Sequence, residues 1–281
     1  MKLGLLVNRE KPAARRFVTG LAGWLKARGH QPWLSPDTAR EFKLSLDTAR
    51  PAEIVRRVEL VVALGGDGTM LRAARLVGRR ELPIMGVNLG GLGFLTEFST
   101  REARAGITAF ARGRHCEERR MLLACAYGRR RGFALNDCAV NMGSSGRVIK
   151  LIVRSGGAFI NRFAGDGVVI ATPTGSTAYS LAAGGPVLYP TMAAILLTPL
   201  APHALAARPL ILPAAAGLEV ELAEGSEPAT LNLDGQQRWR IAPGRPVVIT
   251  EAGFRVRLVT PRHKTYYSIL RDKLKWSGSQ V

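Results

Sequence analysis

Five apolar residues in a row, Leu60 to Leu64, run straight into Gly65-Gly66-Asp67-Gly68-Thr69 and then into a helical pattern that restarts at Met70. Such a run reads as a strand buried on both faces, the kind a helix-covered parallel sheet uses. The glycines let the backbone turn sharply and bare its N–H groups at a helix N-terminus, a ready place for phosphate. The loop has neither the Gly-x-x-x-x-Gly-Lys of a P-loop nor the Gly-x-Gly-x-x-Gly of a dinucleotide fold. A carboxylate, Asp67, stands where anions would bind. Its charge opposes simple phosphate cradling unless it holds a metal or takes a proton. Asp-Gly alone is a common turn pair; among these glycines, after a buried strand, it points to function.

Strands alternate with helices through the first hundred residues. Leu3–Val7 reads as a strand, and Ala13 to Leu25 as a helix with Pro12 in its first turn and Gly29 closing it. Gln31–Ser35 is a second strand, Pro51–Arg57 a short helix and Ile84–Asn88 a further strand; Thr38–Arg50 is left unassigned. This order predicts an open, mostly parallel sheet with ligands at the carboxyl ends of its strands, where Asp67 and Asn88 both fall. After a helix at about Arg101–Arg112, short strands separated by glycine and polar turns predict a mainly β domain. They are Leu122–Tyr127, Phe133–Asn141, Val148–Val153, Ala158–Phe163, Val168–Thr172, Leu218–Leu222, Thr230–Leu233, Pro246–Thr250 and Phe254–Val259. Ile269, Leu270 and Leu274 give the tail a helical spacing. The expected organisation is a Rossmann-like α/β domain over 1–100, a β-sandwich-like domain over 101–261, and a segment 262–281 returning to the first.

The 281 residues carry a net charge of +19, which attracts polyanions, either nucleic acid or phosphorylated small molecules. The arginines are scattered and few aromatics lie between them, so charge alone does not establish a nucleic-acid partner. The one dense run, Arg129-Arg130-Arg131 between Gly128 and Gly132, reads as a solvated hairpin tip. Cys116, Cys125 and Cys138 form no CxxC pattern, and with four distant histidines a zinc site has little support. Reduced thiols, a strand at the start with no signal peptide ahead of it, and no apolar run long enough to span a membrane lead to a cytoplasmic expectation.

Three more stretches carry chemistry. Thr172 to Pro186 (Thr-Pro-Thr-Gly-Ser-Thr-Ala-Tyr-Ser-Leu-Ala-Ala-Gly-Gly-Pro) reads as a strand end, Ser176 as N-cap and a short helix over Thr177–Ala183. Its hydroxyls and Tyr179 suit a ribose or a base. Leu135-Asn136-Asp137 sets an amide beside a carboxylate that can accept from vicinal ribose hydroxyls, though such a pair more often marks a turn. Leu233-Asp234-Gly235-Gln236 is by itself a turn signal.

With these motifs in this order, joined by Gly86-Val87-Asn88-Leu89-Gly90, Gly93-Phe94-Leu95-Thr96, Thr198-Pro199 and Pro202-His203, the chain resembles the NAD kinase family from Lys2 to about Trp276. The glycine–Asp loop alone is shared with diacylglycerol and sphingosine kinases; the Thr172–Pro186 run is far more specific. The resemblance implies transfer of a phosphoryl group from ATP, or another donor, to the adenosine ribose 2′-hydroxyl of NAD, giving NADP. Asp67 would be the general base, and Gly65, Gly66, Gly68 and Thr69 the donor-phosphate loop, working with a divalent cation, expected to be Mg²⁺, whose ligands are unknown. NAD contacts would come from Asp67, Gly68, Arg72, Asn136, Asp137, Arg147, Asp166, Thr177, Ala178, Tyr179, Ser180, Leu181, Ala182, Ala201 and Gln236, with Tyr179 near the adenine. A homodimer or homotetramer is implied, with no membrane and no specific nucleic acid as partner. The family usually has Glu where Asp137 stands, one methylene longer, and often a basic or larger residue in place of Ala164. A lipid kinase would explain Asp67 but not the Thr172–Pro186 run. A non-catalytic NAD- or nucleic-acid-binding protein would suit the +19 charge but not the intact glycine–Asp loop.

Overall fold

The computed structural model describes residues 1–91, 93–143 and 146–276, and internal contacts divide the chain into Met1–Arg119 with Val256–Val281, and Arg120–Arg255. Leu92 of the glycine-rich loop and residues 277–281 of the return segment lie outside the described residues. The first unit thus takes in residues 101–119, which the sequence reading placed in the β domain. The reason is apolar: Ala103 and Ile107 of the helix there are fully buried in the first unit's core.

That unit is built from β1 (Lys2–Val7), α1 (Ala14–Lys26), β2 (Gln31–Leu34), α2 (Pro36–Phe42), β3 (Asp47–Thr48), α3 (Pro51–Ile54), β4 (Leu60–Gly65), α4 (Asp67–Val77), β5 (Pro83–Asn88), β6 (Phe98–Ser99) and α5 (Ala103–Ala111). The sheet runs β5-β4-β1-β2-β3, every pair parallel. Every residue of β4 and β5 is buried, as a strand covered on both faces requires. The chain leaves β1 toward one edge and β4 toward the other, so the crevice at their carboxyl ends is the switch point where open α/β sheets bind ligands. The unassigned stretch Thr38–Arg50 holds most of α2 and all of β3. Its signal was in plain sequence: Ser35 caps α2 by accepting from Thr38 N, with Pro36 at the first helical position. The C-terminal helix, Tyr266–Leu274, starts with a Thr265–Ser268 capping box and buries Ile269 and Leu270. Ahead of it Lys264 Nζ reaches Glu97 O at 2.5 Å and the Glu102 carboxylate at 3.0 Å. Burial pushes the Glu102 carboxyl up, but hydrogen bonds from Ser99 and Lys264, with the lysine's charge, outweigh it and hold the group at about 2.

The second unit contains β7 (Cys116–Tyr127), whose first residues lie in the first unit, β8 (Arg130–Ala134), β9 (Asp137–Met142), β10 (Ile149–Ser155), β11 (Ala158–Gly165), β12 (Gly167–Ala171), α6 (Tyr179–Ala182), β13 (Ala194–Leu200), β14 (Leu210–Pro213), β15 (Leu218–Leu222), β16 (Ala229–Leu233), β17 (Gln237–Ile241) and β18 (Val247–Thr260), which leaves it at Arg255. One antiparallel sheet runs β14-β13-β12-β9-β16-β17; β11, β10, β15 and β18 form an antiparallel run of their own. Val140, Ile170 and Ile195 from the first meet Leu151, Val220 and Ile249 from the second in one core, which makes the unit a sandwich. Ala139, Val169 and Leu196 point the other way, into a smaller core with Leu188. The apolar run at Ala194–Leu200 is a wholly buried strand.

Three further expectations are corrected. Phe133–Asn141 is not one strand: the ladder breaks at Leu135-Asn136, whose N–H groups turn to a side chain described below. Pro246–Thr250 and Phe254–Val259 are parts of the single strand β18, because Gly253 keeps a backbone that any residue adopts, with Ala252 and Phe254 buried on either side of it. Ser176 caps no helix. It lies inside a 3-10 turn, Thr174–Thr177, where its Oγ donates to Pro173 O and accepts from Leu188 N, and α6 begins only at Tyr179. The hairpin tip is narrower than expected: Tyr127 pairs with Arg130 across the two-residue turn Gly128-Arg129, in which Gly128 has φ +58°, and Arg130 and Arg131 already belong to β8.

Candidate functional site

Helix α4 begins at Asp67, not at Met70, with Gly66 as its N-cap. The carboxylate therefore sits in the first helical turn, where the helix dipole favours negative charge. It is not left facing the glycine N–H groups. Its Oδ1 accepts from Leu95 N at 3.0 Å, Thr96 N at 3.1 Å and Thr96 Oγ1 at 3.2 Å, and its Oδ2 from Phe94 N at 2.8 Å. Four donors from one loop thus fix the carboxylate. The same loop is gathered by Asn88, which accepts from Gly90 N at 2.6 Å and donates to Gly91 O at 2.6 Å and Thr96 Oγ1 at 2.8 Å. Only glycine is tolerated at residue 93, since a Cβ there would collide with the Asp67 carboxylate and the Thr96 hydroxyl. Gly93→Ala is expected to destabilise the protein by about 1–3 kcal/mol, the usual range for overpacking, measurable as a lower urea midpoint.

Gly66, Gly68 and Thr69 line a 420 Å³ cavity with Asn8, Glu10, Lys11 and Arg72, at the β1/β4 switch point. The Arg72 guanidinium donates to Val7 O at 2.9 Å and also lines a 520 Å³ cavity with Arg9, Ser35 and Asp37. Burial first, then the charges of Arg75 and Arg9, hold Arg72 below its ordinary value. An anion here would relieve that crowding of positive charge. Gly65, fully enclosed, lets the loop close against Thr69 and Asn8.

In the second unit a second carboxylate does similar work. Asp234 accepts from Leu135 N at 2.9 Å, Asn136 N at 2.7 Å and Asp137 N at 3.1 Å, while its own N–H donates to Asp137 O at 2.9 Å. It heads a three-residue turn between β16 and β17, with φ +52° at Asp234 and +65° at Gly235. Thr172 holds the same segment from the other side: its N–H donates to Asn136 O at 2.9 Å and its Oγ1 to Leu135 O at 2.6 Å. Asn136, Asp137, Ala178 and Tyr179 line a 390 Å³ cavity together with Asp234 and Arg238. Burial, and next the Asp234 charge, push the Asp137 carboxyl up to about 7. Tyr179 is 40% exposed, a free ring face beside that acid.

Of the other expected residues, Thr177 donates to Thr174 O, Ser180 is buried and bonded to Thr198 Oγ1 at 2.8 Å, and Leu181 and Ala182 continue α6. Arg147 is paired with Glu227 at 3.2 Å. The Asp166 backbone accepts from Met142 N and donates to Leu200 O, Ala201 has φ +41°, and the Gln236 N–H closes its turn on Leu233 O. None of these eight lines the cavity at Asp137. Three residues escaped the sequence reading. Asp234 looked like a turn and is an anchor. Buried Arg120 donates to Thr174 Oγ1 at 3.4 Å, in the middle of the hydroxyl run. Asn141, at the same cavity, keeps a buried Oδ1 with no partner among the described residues. Strand alternation in β9 was the one available signal for Asn141.

Among the described residues no three His, Cys, Asp or Glu side chains gather to hold a metal, and no helix is long and apolar enough to cross a membrane.

A glycine–carboxylate loop at the switch point of a parallel sheet, with a separate β sandwich bearing an amide–acid pair, is the layout of a nucleotide-handling α/β kinase. Comparison narrows this to one family. Residues 3–115 match the model of the ATP-NAD kinase N-terminal domain and residues 135–260 that of the ATP-NAD kinase C-terminal domain. The NAD kinase of Geotalea daltonii is 38% identical over 282 residues, 98% of each chain; that of Azoarcus sp. is 41% identical over 268 residues, 93% of this chain and 91% of its own. Yeast NADH kinase, solved with NADH, superposes with a TM-score of 0.92 at 27% identity over 99% of this chain and 89% of its own. An Archaeoglobus fulgidus NAD kinase solved with ATP shares the fold, with a TM-score of 0.80 at 24% identity over 97% and 99%. The chain belongs to the NAD kinase family.

Proposed function

We propose that the protein transfers the γ-phosphoryl group of ATP to the 2′-hydroxyl of the adenosine ribose of NAD, giving NADP and ADP. The observation that carries this reading is the fixed Asp67 carboxylate at the head of α4. Three donors occupy Oδ1 and one occupies Oδ2, so Oδ2 keeps a lone pair with a set direction. Phosphoryl transfer through a loose transition state asks the protein for alignment, charge neutralisation and a proton acceptor rather than covalent chemistry. Asp67 supplies the acceptor for the 2′-hydroxyl proton. The N–H groups around Gly66 and Gly68, with Lys11 and Arg72, meet the donor phosphates at the switch-point cavity. A Mg²⁺ ion would be held by the donor phosphates, with water as its remaining ligands, and would offset their charge.

NAD, NADH and ATP, which stand in the relatives' names, are the ligands to test. Asn136 and Asp137 take the ribose region, Tyr179 stacks on adenine, and Asn141 Oδ1 waits for a ligand N–H. Thr177, Ala178, Ser180, Leu181 and Ala182 follow the dinucleotide, and Arg147, Asp166, Ala201 and Gln236 add outer contacts. Homo-oligomerisation is supported by the edge strand β14, which leaves Leu210 39% and Ile211 45% exposed, near Leu205 at 92%. The three unpaired cysteines suit a reducing cytoplasm.

Asp137 gives this reading a pH signature. Its folded value, about 7, lies above the ordinary value of 3.8, so its contribution to stability is complete below the lower value and is lost as pH rises through 7. Ribose binding runs the other way, because only the ionised acid accepts from both hydroxyls. NAD affinity is expected to strengthen between pH 6 and 8 while the melting temperature falls; Asp137→Asn should flatten both trends and raise KM for NAD. An unchanged pH profile in that variant would remove Asp137 from the ribose contact.

The test of the reaction is a competition for labelled phosphate. With [γ-³²P]ATP, Mg²⁺, NAD and diacylglycerol vesicles together, label should enter the dinucleotide. Label in the lipid would replace this reading with a lipid kinase, and no transfer from ATP or polyphosphate would leave a binding protein.

A further inference from the structure

At the far edge of the sandwich the β7–β8 turn and the turn leaving β17 bound a 720 Å³ basin lined by Tyr127, Arg129, Arg130, Arg240, Arg245 and Pro246. The two turns are tied together. Tyr127 Oη accepts from Ala242 N at 3.0 Å, and the Arg245 guanidinium lies 6.0 Å from the Tyr127 ring centroid. It also lies so close to Gly128 that a Cβ there would come 2.6 Å from Nη1. Arg131 stiffens the hairpin from outside the basin, donating to Gly128 O at 2.6 Å and Arg130 O at 2.9 Å. Among the described residues none of the four lining arginines meets a carboxylate. Three acids of the unit are held by other arginines: Glu227 by Arg147, Glu221 by Arg154 and Glu251 by Arg255.

Four guanidinium groups converging without a counter-charge repel one another, and an anion with charge spread along its length would relieve that repulsion. Guanidinium forks match phosphate oxygens two at a time. The lining offers no open aromatic face on which a base could stack, since Arg245 lies over Tyr127, and this argues against single-stranded nucleic acid. Apart from the Tyr127 and Pro246 side chains it offers no apolar surface for lipid.

We propose that this basin binds a small molecule carrying three or more linked phosphate groups, apart from the donor loop at Asp67. The binding does not depend on the reaction assigned above. Calorimetric titration with inorganic tripolyphosphate at 0.15 M salt should find one more site in the wild type than in Arg240→Ser/Arg245→Ser. Removing two forks should weaken that site at least tenfold. A control, Arg15→Ser/Arg16→Ser, removes the same charge from the exposed face of α1 and should keep it, with melting temperatures showing that both variants fold. Repeating the titration with ATP separates the sources: an equal loss in the basin variant means a nucleotide tail can fill the site, and a loss with tripolyphosphate alone means a base-free phosphate chain does. Equal binding by the basin variant and wild type, or an equal loss in the control, overturns the proposal.

Discussion

Asp67→Asn is expected to lower NADP formation, on the proposed reaction, by about 10²–10⁴-fold, the range a positioned general base contributes, with the chain folded and still binding NAD. The substitution keeps the shape of the side chain, and an amide oxygen in the Oδ1 position still accepts from Leu95 N, Thr96 N and Thr96 Oγ1. What changes is Oδ2. An NH₂ group there faces the Phe94 N–H and can take no proton from a hydroxyl. Losing that one hydrogen bond costs about 1–3 kcal/mol of stability, a visible shift in melting temperature. The loss of rate is separated from the loss of fixing by Thr96→Val, which removes the hydroxyl shared by Asp67 and Asn88 but leaves the carboxylate. That variant should keep its rate within about tenfold of wild type, each tenfold being 1.4 kcal/mol of barrier. If the two variants fall equally, Asp67 acts by holding its loop and not as a base.

Asp234→Ala carries the largest expected loss of stability. It strips the acceptor from three N–H groups, at Leu135, Asn136 and Asp137, on a segment whose Leu135 and Asn136 carbonyls are already committed to Thr172. Each orphaned donor that water cannot reach costs about 1–3 kcal/mol, so a total of about 3–9 kcal/mol is expected against the roughly 5–15 kcal/mol that holds a domain together. Urea unfolding should show it as a lowered midpoint. Asp234→Asn retains one oxygen and should lose about half as much. It also removes the charge that helps hold the Asp137 carboxyl up, so the pH transition in NAD affinity should move downward from 7. An Asp234→Asn variant with its transition in place would mean that burial alone sets the Asp137 titration.

The roles of these two carboxylates mark how far the sequence could be read. Apolar runs and glycine punctuation gave away the parallel sheet, since buried strands such as β4 have few other ways to be satisfied. The same signals misjudged every place where a side chain replaces the ladder as the backbone's partner. Phe133–Asn141 has an unbroken strand composition, and only the Asp234 carboxylate, almost a hundred residues away in sequence, explains why the pairing stops at Leu135. Asp67 was recognisable as special because it broke the logic of a phosphate loop. Its three backbone donors were not, for N–H groups at 94–96 carry no letter in a sequence. The gap expected at residues 251–253 does not exist: the backbone stays extended through Gly253, and β18 runs through. At the candidate site, motif order singled out Asn136, Asp137 and Tyr179, whereas Asn141 and Arg120 are placed by tertiary packing.

The most direct test of the proposed reaction is the position of the new phosphate. The protein is incubated with NAD, ATP and Mg²⁺, and the product is offered to a dehydrogenase that accepts only the 2′-phosphorylated dinucleotide. Stoichiometric reduction of the product, with one ADP formed per phosphate transferred, is the predicted result. A phosphorylated dinucleotide that this dehydrogenase refuses, or ADP formed with no phosphorylated dinucleotide, would contradict transfer to the 2′-hydroxyl.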